Sequence, residues 1–119
     1  MKVWAISDVH TDYRANMEWA QGIASGGPRS DDVLVVAGDV AHDMDTIEAT
    51  LRAFRSAYGS VFYTVGNHEL WLTKKDRDAG VTDSVAKLGA VQAMCDRIGV
   101  DTRPRRLPGG VWIVPLLSW

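Results

Sequence analysis

Three short runs of β-branched and aromatic residues constrain the fold of this chain most, because each run stops abruptly at polar residues. The runs cover residues 2–6, 33–37 and 61–65. Their apolar residues are nearly continuous rather than alternating, which is typical of strands that are covered on both faces within a parallel sheet. We therefore expect three buried strands that lie side by side.

Helical patterns separate these runs. Apolar residues recur at helical spacing over residues 13–25, 45–58 and 83–98, and each segment ends at a glycine. A carboxylate or hydroxyl group lies near the start of each segment, where it could cap a helix. The β-α-β-α-β order predicts an α/β fold with a mixed, mostly parallel sheet flanked by helices.

Composition narrows the class of protein. The chain has 119 residues, is 46% hydrophobic and carries a formal net charge of −2, which suits one globular domain. Nucleic-acid binding is not indicated, because the pI is about 5.8 and the basic residues are scattered. No apolar run approaches the roughly 18 residues of a membrane span. The single cysteine, Cys95, is expected in the core and suits a reducing compartment, so we expect a cytoplasmic protein without a membrane partner.

Each predicted strand is followed by side chains that can bind metals. The segments are Asp8-Val9-His10, Gly38-Asp39 and Gly66-Asn67-His68-Glu69. The carboxyl ends of parallel strands lie along one edge of a sheet, so these side chains should converge there. Carboxylate, imidazole and amide groups suit Mn²⁺, Fe, Zn²⁺ or Mg²⁺. The sequence therefore predicts a metal site at this edge.

The three segments resemble the first three motifs of the calcineurin-like metallophosphoesterases, in the same order and each after a strand. The resemblance runs from about residue 2 to residue 72, and residues 111–119 look like a later strand of that family. It implies that residues 1–119 form a partial calcineurin-like phosphoesterase domain. The implied architecture is the first half of a four-layer α/β sandwich.

The resemblance also implies roles for individual residues. Asp8 and His10 would bind one divalent ion, Asp39 would bridge two ions, and Asn67 would bind the second. His68 would act beside the leaving group as a general acid or transition-state stabiliser, with Glu69 in a supporting role. The implied activity is hydrolysis of a phosphoric ester, whose identity is open, by a centre of two divalent ions (Mn, Fe, Zn or Mg).

The chain departs from the family pattern in two respects. Three residues after Asp39 the family has an acid that orients the catalytic histidine, whereas this chain has His42, followed by Asp43. Either Asp43 takes over that contact through a shifted turn or the contact is lost, and His42 is expected only as a partly exposed residue before a helix. No histidine follows His68, although the family adds later histidines to its metal site. We therefore expect a truncated form with reduced or no activity.

The alternative is a non-catalytic fragment that binds metal weakly or binds a partner chain. It depends on the expected absence of the second half of the family pattern and on the apolar residues 111–119, which predict an exposed edge strand and self-association. Among the aromatic residues, Trp4 and Trp112 are expected in the core. Trp71 is expected to pack against the protein rather than form a wall of the site. Residues 66–81 are expected to form a long loop, with 74–78 solvated.

Overall fold

The computed structural model describes residues 1–117 and contains a parallel sheet, four helices and a small second sheet. In chain order the elements are β1 (Val3–Ile6), α1 (Arg14–Ser25), β2 (Arg29–Ala37), α2 (Met44–Ala57), β3 (Tyr58–Thr64), a 3₁₀ turn (His68–Leu70), α3 (Lys74–Asp78), α4 (Ser84–Ile98), β4 (Arg105–Arg106) and β5 (Trp112–Ile113).

The main sheet has the order β1-β2-β3, and all its strands are parallel. Strands β4 and β5 form a separate antiparallel pair. The predicted α/β class, with a mostly parallel sheet and flanking helices, is confirmed. Because the three strands run in the same direction, their carboxyl ends lie along one edge, and the loops that leave them are neighbours.

Helix α2 packs its apolar stripe against the sheet. Ile47, Leu51 and Phe54 are fully buried in one cluster with Val36 of β2 and Val61 of β3. Asp43 caps α2 by accepting a hydrogen bond from the backbone N–H of Thr46. Asp83 caps α4 in the same way, but no side chain caps α1, which begins after Tyr13. The expectation of a capping side chain is therefore wrong for α1.

The interior placement of Cys95 is confirmed. Its side chain is buried in the main cluster, and burial raises the pKa of the thiol to about 12. The thiol is therefore protonated at neutral pH and is a poor nucleophile.

The expectation that every strand is covered on both faces is wrong for β1. Among residues 1–117, only β2 pairs with it. Trp4 is 44% exposed, and its indole N–H donates to Asp32 Oδ2 at 3.0 Å. Trp112 is also outside the core, at 59% exposure. An apolar run does not distinguish an edge strand from a central one, and a tryptophan has a polar N–H that favours a site near water.

The strand-like run at the carboxyl end is shorter than the sequence predicts. Only Trp112–Ile113 forms a strand, and residues 114–117 have no regular structure. Pro115 has no N–H to donate to a partner strand, which prevents regular pairing at that position. Ser118 and Trp119, the end of the predicted edge strand, lie outside the described residues.

The expected loop at residues 66–81 contains the 3₁₀ turn and α3, so residues 74–78 are helical rather than a loop. They are solvated as expected except for Asp76. Asp76 of α3 is buried and accepts hydrogen bonds from both the backbone N–H and the hydroxyl group of Thr73. Its other partner is the fully buried Lys87 of α4, whose Nζ lies 2.9 Å from Asp76 Oδ2. Nζ also donates to the carbonyl oxygens of His42, at 2.7 Å, and Trp71.

Among residues 1–117, no helix has both the length and the apolar composition needed to cross a membrane.

Replacement of Asp76 by Asn should destabilise the fold by about 3–5 kcal/mol at pH 7, because it leaves the Lys87 ammonium buried without a counter-charge. Burial opposes ionisation of Asp76, but hydrogen bonds from Thr73 and Lys87 outweigh it and hold the pKa of Asp76 below its usual range. A lowered pKa contributes stability above the unfolded-state value of about 3.9, and this contribution is lost as the pH falls through the folded-state pKa.

Urea unfolding of the wild type and of Asp76→Asn at a series of pH values measures this effect. The difference in unfolding free energy should be largest near neutrality and should shrink below about pH 4. Asp78→Asn, an exposed change on the same helix, is the control and should shift stability by less than about 0.5 kcal/mol. A difference that is constant from pH 7 to pH 3 would contradict the role of the ion pair.

Candidate metal centre

The loops after β1 and β2 run side by side beyond the sheet. The backbone N–H of Asp8 donates to the carbonyl oxygen of Gly38 at 3.1 Å, and that of His10 donates to the carbonyl oxygen of Asp39 at 3.2 Å. These bonds continue the parallel pairing past the strand ends. The polar residues that follow β1 and β2 are therefore held side by side at the carboxyl edge of the sheet.

The loops after β2 and β3 touch because both carry a glycine. A Cβ atom on Gly38, which has a φ of 79°, would lie 2.8 Å from the Cα atom of Gly66. A Cβ atom on Gly66 would lie 2.1 Å from Oδ1 of Asp39. Side chains at either position would force the loops apart, so the glycines allow Asp39 to lie against the loop that follows β3.

The three candidate ligands from β1 and β2 share a strained backbone conformation. Among residues 1–117, Asp8, His10 and Asp39 are the non-glycine residues with positive φ, at 54°, 46° and 54°. Such conformations are unfavourable by about 1–3 kcal/mol each and concentrate at functional sites. One ligand atom from each residue lies within 4.8 Å of those of the other two. Two carboxylates and an imidazole at that spacing fit a divalent ion.

Asn67 and His68 lie at the same edge of the sheet. Asn67 lines a cleft of about 290 Å³ together with Asp8 and Asp39. The backbone N–H of His68 donates to Asp39 Oδ1 at 3.2 Å, and its ring Nε2 lies 4.0 Å from Asp39 Oδ2. The ring of His10 meets the ring of His68 edge-on at 5.1 Å. The structure thus brings all five predicted site residues together, while their roles in metal binding and catalysis stay predictions.

The buried carboxylate of Glu69 connects the loops. It accepts hydrogen bonds from the backbone N–H groups of Asp39 (3.1 Å), Val40 (2.8 Å) and Gly66 (3.1 Å). The hydroxyl group of Tyr63 donates to it at 2.7 Å. Burial and the adjacent Glu69 charge hold the pKa of Tyr63 well above its usual range, so the hydroxyl remains a donor. Glu69 therefore has the supporting position that its place in the sequence suggested.

His42 makes a contact with a predicted site residue that the sequence interpretation missed. Its ring is partly exposed, as expected, but Nε2 lies 2.8 Å from Nδ1 of His68. Asp43, the other candidate for this contact, instead caps α2 and lies 3.3 Å from the ammonium group of Lys75. Neither expected alternative is right: the contact is kept, and His42 makes it. The available signal was the position of His42, three residues after Asp39.

Trp71 packs against the rings of His42 and His68, as expected, and this packing places it beside the candidate site. Its side chain is 52% exposed, and its ring lies over that of His68 with a centroid separation of 4.2 Å. Lys87 binds the carbonyl oxygen of Trp71 and positions the main chain at this residue. The Trp71 ring therefore covers one face of His68 while about half of its own side chain stays exposed.

Replacement of Glu69 by Gln should destabilise the chain by about 3 kcal/mol, because the amide would direct N–H groups at backbone donors that now meet a carboxylate. Urea unfolding at pH 7 measures the change. Glu18→Gln, an exposed change on α1, is the matched control and should stay within about 0.5 kcal/mol of wild type. Equal unfolding midpoints for Glu69→Gln and wild type would show that these hydrogen bonds are unimportant.

Comparison with known proteins agrees with this geometry. The sequence model of the calcineurin-like phosphoesterase family matches residues 1–110. The chain is 39% identical over 110 residues to an [acyl-carrier-protein] phosphodiesterase, PptH, of Mycobacterium tuberculosis; the match covers 92% of this chain and 32% of that protein. The crystal structure of phosphopantetheinyl hydrolase (PptH) from Mycobacterium tuberculosis superimposes with a TM-score of 0.82 at 36% identity, over 97% of this chain and 42% of that one.

The chain thus spans less than half the length of the relatives that it matches. The residues that the family model matches include all three strand-end motifs. The chain belongs to the calcineurin-like phosphoesterase family.

Proposed function

We propose that this chain is part of a metal-dependent phosphoesterase whose centre lies at the carboxyl edge of the parallel sheet. The observation that carries the proposal is the convergence of Asp8, His10 and Asp39, each in a left-handed backbone conformation. Three strained residues that present ligand atoms to one point are expected where binding, rather than folding, requires the geometry. Membership of the phosphoesterase family also supports the proposal of a metal-dependent phosphoesterase.

Asp8, His10 and Asp39 would hold the first divalent ion. Asn67, which lines the same cleft, would hold a second ion together with Asp39, whose two carboxylate oxygens allow it to contact both. The donor set leaves Mn, Fe, Zn and Mg open. When bound, divalent ions supply Lewis acidity to a phosphoryl group.

The remaining residues would serve the leaving group. His68 lies against Asp39 and would provide the proton that the departing oxygen takes up. Trp71 covers one face of its ring and limits the access of water from that side. Glu69 holds the two loops that carry these groups.

For the substrate we propose a phosphodiester, with a phosphopantetheinyl group on an acyl carrier protein as the leading candidate. The support is the similarity to a protein named an acyl-carrier-protein phosphodiesterase. We place the chain in the cytoplasm, because its single cysteine is buried and suits a reducing compartment.

The role of Asp39 provides a direct test. Replacement of Asp39 by Asn removes the negative charge and one of the two carboxylate oxygens that the ions would share. Metal affinity should fall about 100-fold or more, with hydrolysis falling alongside. Titration calorimetry with Mn²⁺, Mg²⁺, Zn²⁺ and Fe²⁺ measures the affinity. Hydrolysis of bis(4-nitrophenyl) phosphate and of a phosphopantetheinylated carrier protein measures the activity.

Asp45→Asn is the matched control, because Asp45 is an exposed carboxylate at the start of α2. It should leave both metal binding and hydrolysis at the wild-type level. Full metal uptake by Asp39→Asn would refute the assigned ligand set. A wild-type chain that binds metal but hydrolyses neither substrate would favour a non-catalytic role.

The second candidate is a non-catalytic role in which the chain binds metal weakly and associates with another copy of itself. It is favoured by the exposure of apolar side chains over residues 111–117, namely Val111, Trp112, Val114, Leu116 and Leu117. Exposed apolar segments of this kind associate readily.

Sedimentation at increasing concentration tests self-association. A concentration-dependent dimer is expected for the wild type, and Trp112→Ser should weaken it about tenfold by removing an exposed aromatic side chain. Trp19→Ser, which removes an exposed tryptophan from α1, is the control and should leave the dimer unchanged. A wild-type chain that remains monomeric at all concentrations would rule out this candidate.

A further inference from the structure

His42 and His68 share a hydrogen bond in the plane of their rings. Nε2 of His42 lies 2.8 Å from Nδ1 of His68, the ring planes differ by 10°, and the centroids are 5.0 Å apart. Stacked rings would keep their atoms about 3.5 Å apart or more, so the rings meet edge to edge. The lone pair of one nitrogen therefore points along the N–H bond of the other, which is the geometry of a good hydrogen bond.

The surroundings of His42 determine which ring donates. The Asp12 carboxylate faces Nδ1 of His42 at 4.0 Å and also accepts a hydrogen bond from the backbone N–H of His42 at 3.4 Å. A carboxylate on that side favours a proton on Nδ1, which leaves Nε2 of His42 as the acceptor. His68 then donates from its own Nδ1, and its Nε2 faces Asp39 and the candidate centre.

Two further contacts hold this arrangement. Trp71 lies over both rings, with centroid separations of 4.2 Å from His68 and 5.0 Å from His42 and tilts of 29° and 28°. The buried ammonium of Lys87 binds the carbonyl oxygens of His42 and Trp71. The main chain at His42 and at Trp71 is thus anchored to α4. This anchoring holds the acceptor atom, Nε2 of His42, in place.

We propose that His42 is a positioning residue that sets the ring orientation and tautomer of His68, so that Nε2 is the nitrogen presented to the leaving group. The proposal rests on the proposed function, in which His68 serves the departing oxygen. When Nε2 carries a second proton, that proton passes to the departing oxygen as a water oxygen bonds to phosphorus and the P–O bond to the alcohol breaks. The proton on Nδ1 stays in the bond to His42. The attacking water loses one proton to solvent, and solvent returns one proton to Nε2.

The first test does not depend on activity. In ¹⁵N-edited NMR spectra of the metal-free chain, recorded where the ring is neutral, His68 should show its single, slowly exchanging proton on Nδ1 rather than on Nε2. His42→Leu should abolish that protected signal and shift the tautomer of His68, because leucine offers no acceptor. His42→Gln should retain it, because its side-chain oxygen can accept at a similar position.

Asp43→Asn is the matched control, because Asp43 is the neighbouring acid and asparagine still caps a helix. It should leave the His68 signal unchanged. If Asp43→Asn shifts the signal and His42→Leu does not, the assignment to His42 is overturned. A neutral His68 ring in the wild type with its single proton on Nε2 would overturn it as well.

The second test uses the leaving group. A 4-nitrophenolate departs without a proton, whereas a phenolate or alkoxide needs one, so only the latter esters depend on a well-placed acid. His42→Leu should lower kcat at least tenfold on a phenyl diester and change it less than about threefold on the 4-nitrophenyl diester, with KM nearly constant. His42→Gln should recover much of the loss.

In a His68→Ala background, His42→Leu should have no further effect, because it acts through the missing ring. Equal losses on both esters, or additive losses in the double variant, would overturn the proposal. If the wild-type chain hydrolyses neither ester with any of the four metals, the proposed function fails. The NMR comparison then still decides whether His42 sets the tautomer of His68.

Discussion

The hydrogen bonds of the Glu69 carboxylate are the interaction on which the rest of the site depends. The carboxylate is completely buried, and it meets backbone N–H groups from the loops after β2 and β3 and the hydroxyl group of Tyr63. A buried charge is tolerated when its oxygens are satisfied, and four donors satisfy this one. The bonds join two loops that are neighbours only because the strands beneath them are parallel. The convergence of the candidate ligands follows from that junction.

The site combines backbone strain with a stiff frame. Asp8, His10 and Asp39 have unfavourable left-handed backbones, which persist only if their surroundings hold them. The Glu69 bonds hold one side of the site. On the other side, the buried pair of Lys87 and Asp76 fastens α4 to α3 and to the main chain that carries the aromatic groups. A frame of this kind holds ligand atoms in place before any ion is bound, which favours binding because less freedom is lost.

Much of the fold was predictable, because strands and helices leave periodic signals in the sequence. The position of Asp39 at the end of β2 and that of Asn67 after β3 followed from where the apolar runs stop. Burial was harder to predict. Trp4 lies in an apolar run that predicts a buried strand, yet that strand is at an edge of the sheet and Trp4 is partly exposed. Lys87 is a helical lysine, a residue type found mostly at protein surfaces, yet it is fully buried because Asp76 neutralises it. Both outcomes depend on partners distant in sequence.

The sequence by itself determined the parallel α/β order, the polar ends of the three strands and the family to which their motifs belong. These properties are local, since each depends on residues a few positions apart. Only the tertiary structure decided that His42, rather than Asp43, contacts His68, and that Trp71 covers both rings. The physical reason is that a side-chain contact across 26 residues depends on how two loops pack. That packing is determined by glycine contacts, a buried carboxylate and a buried ammonium acting together.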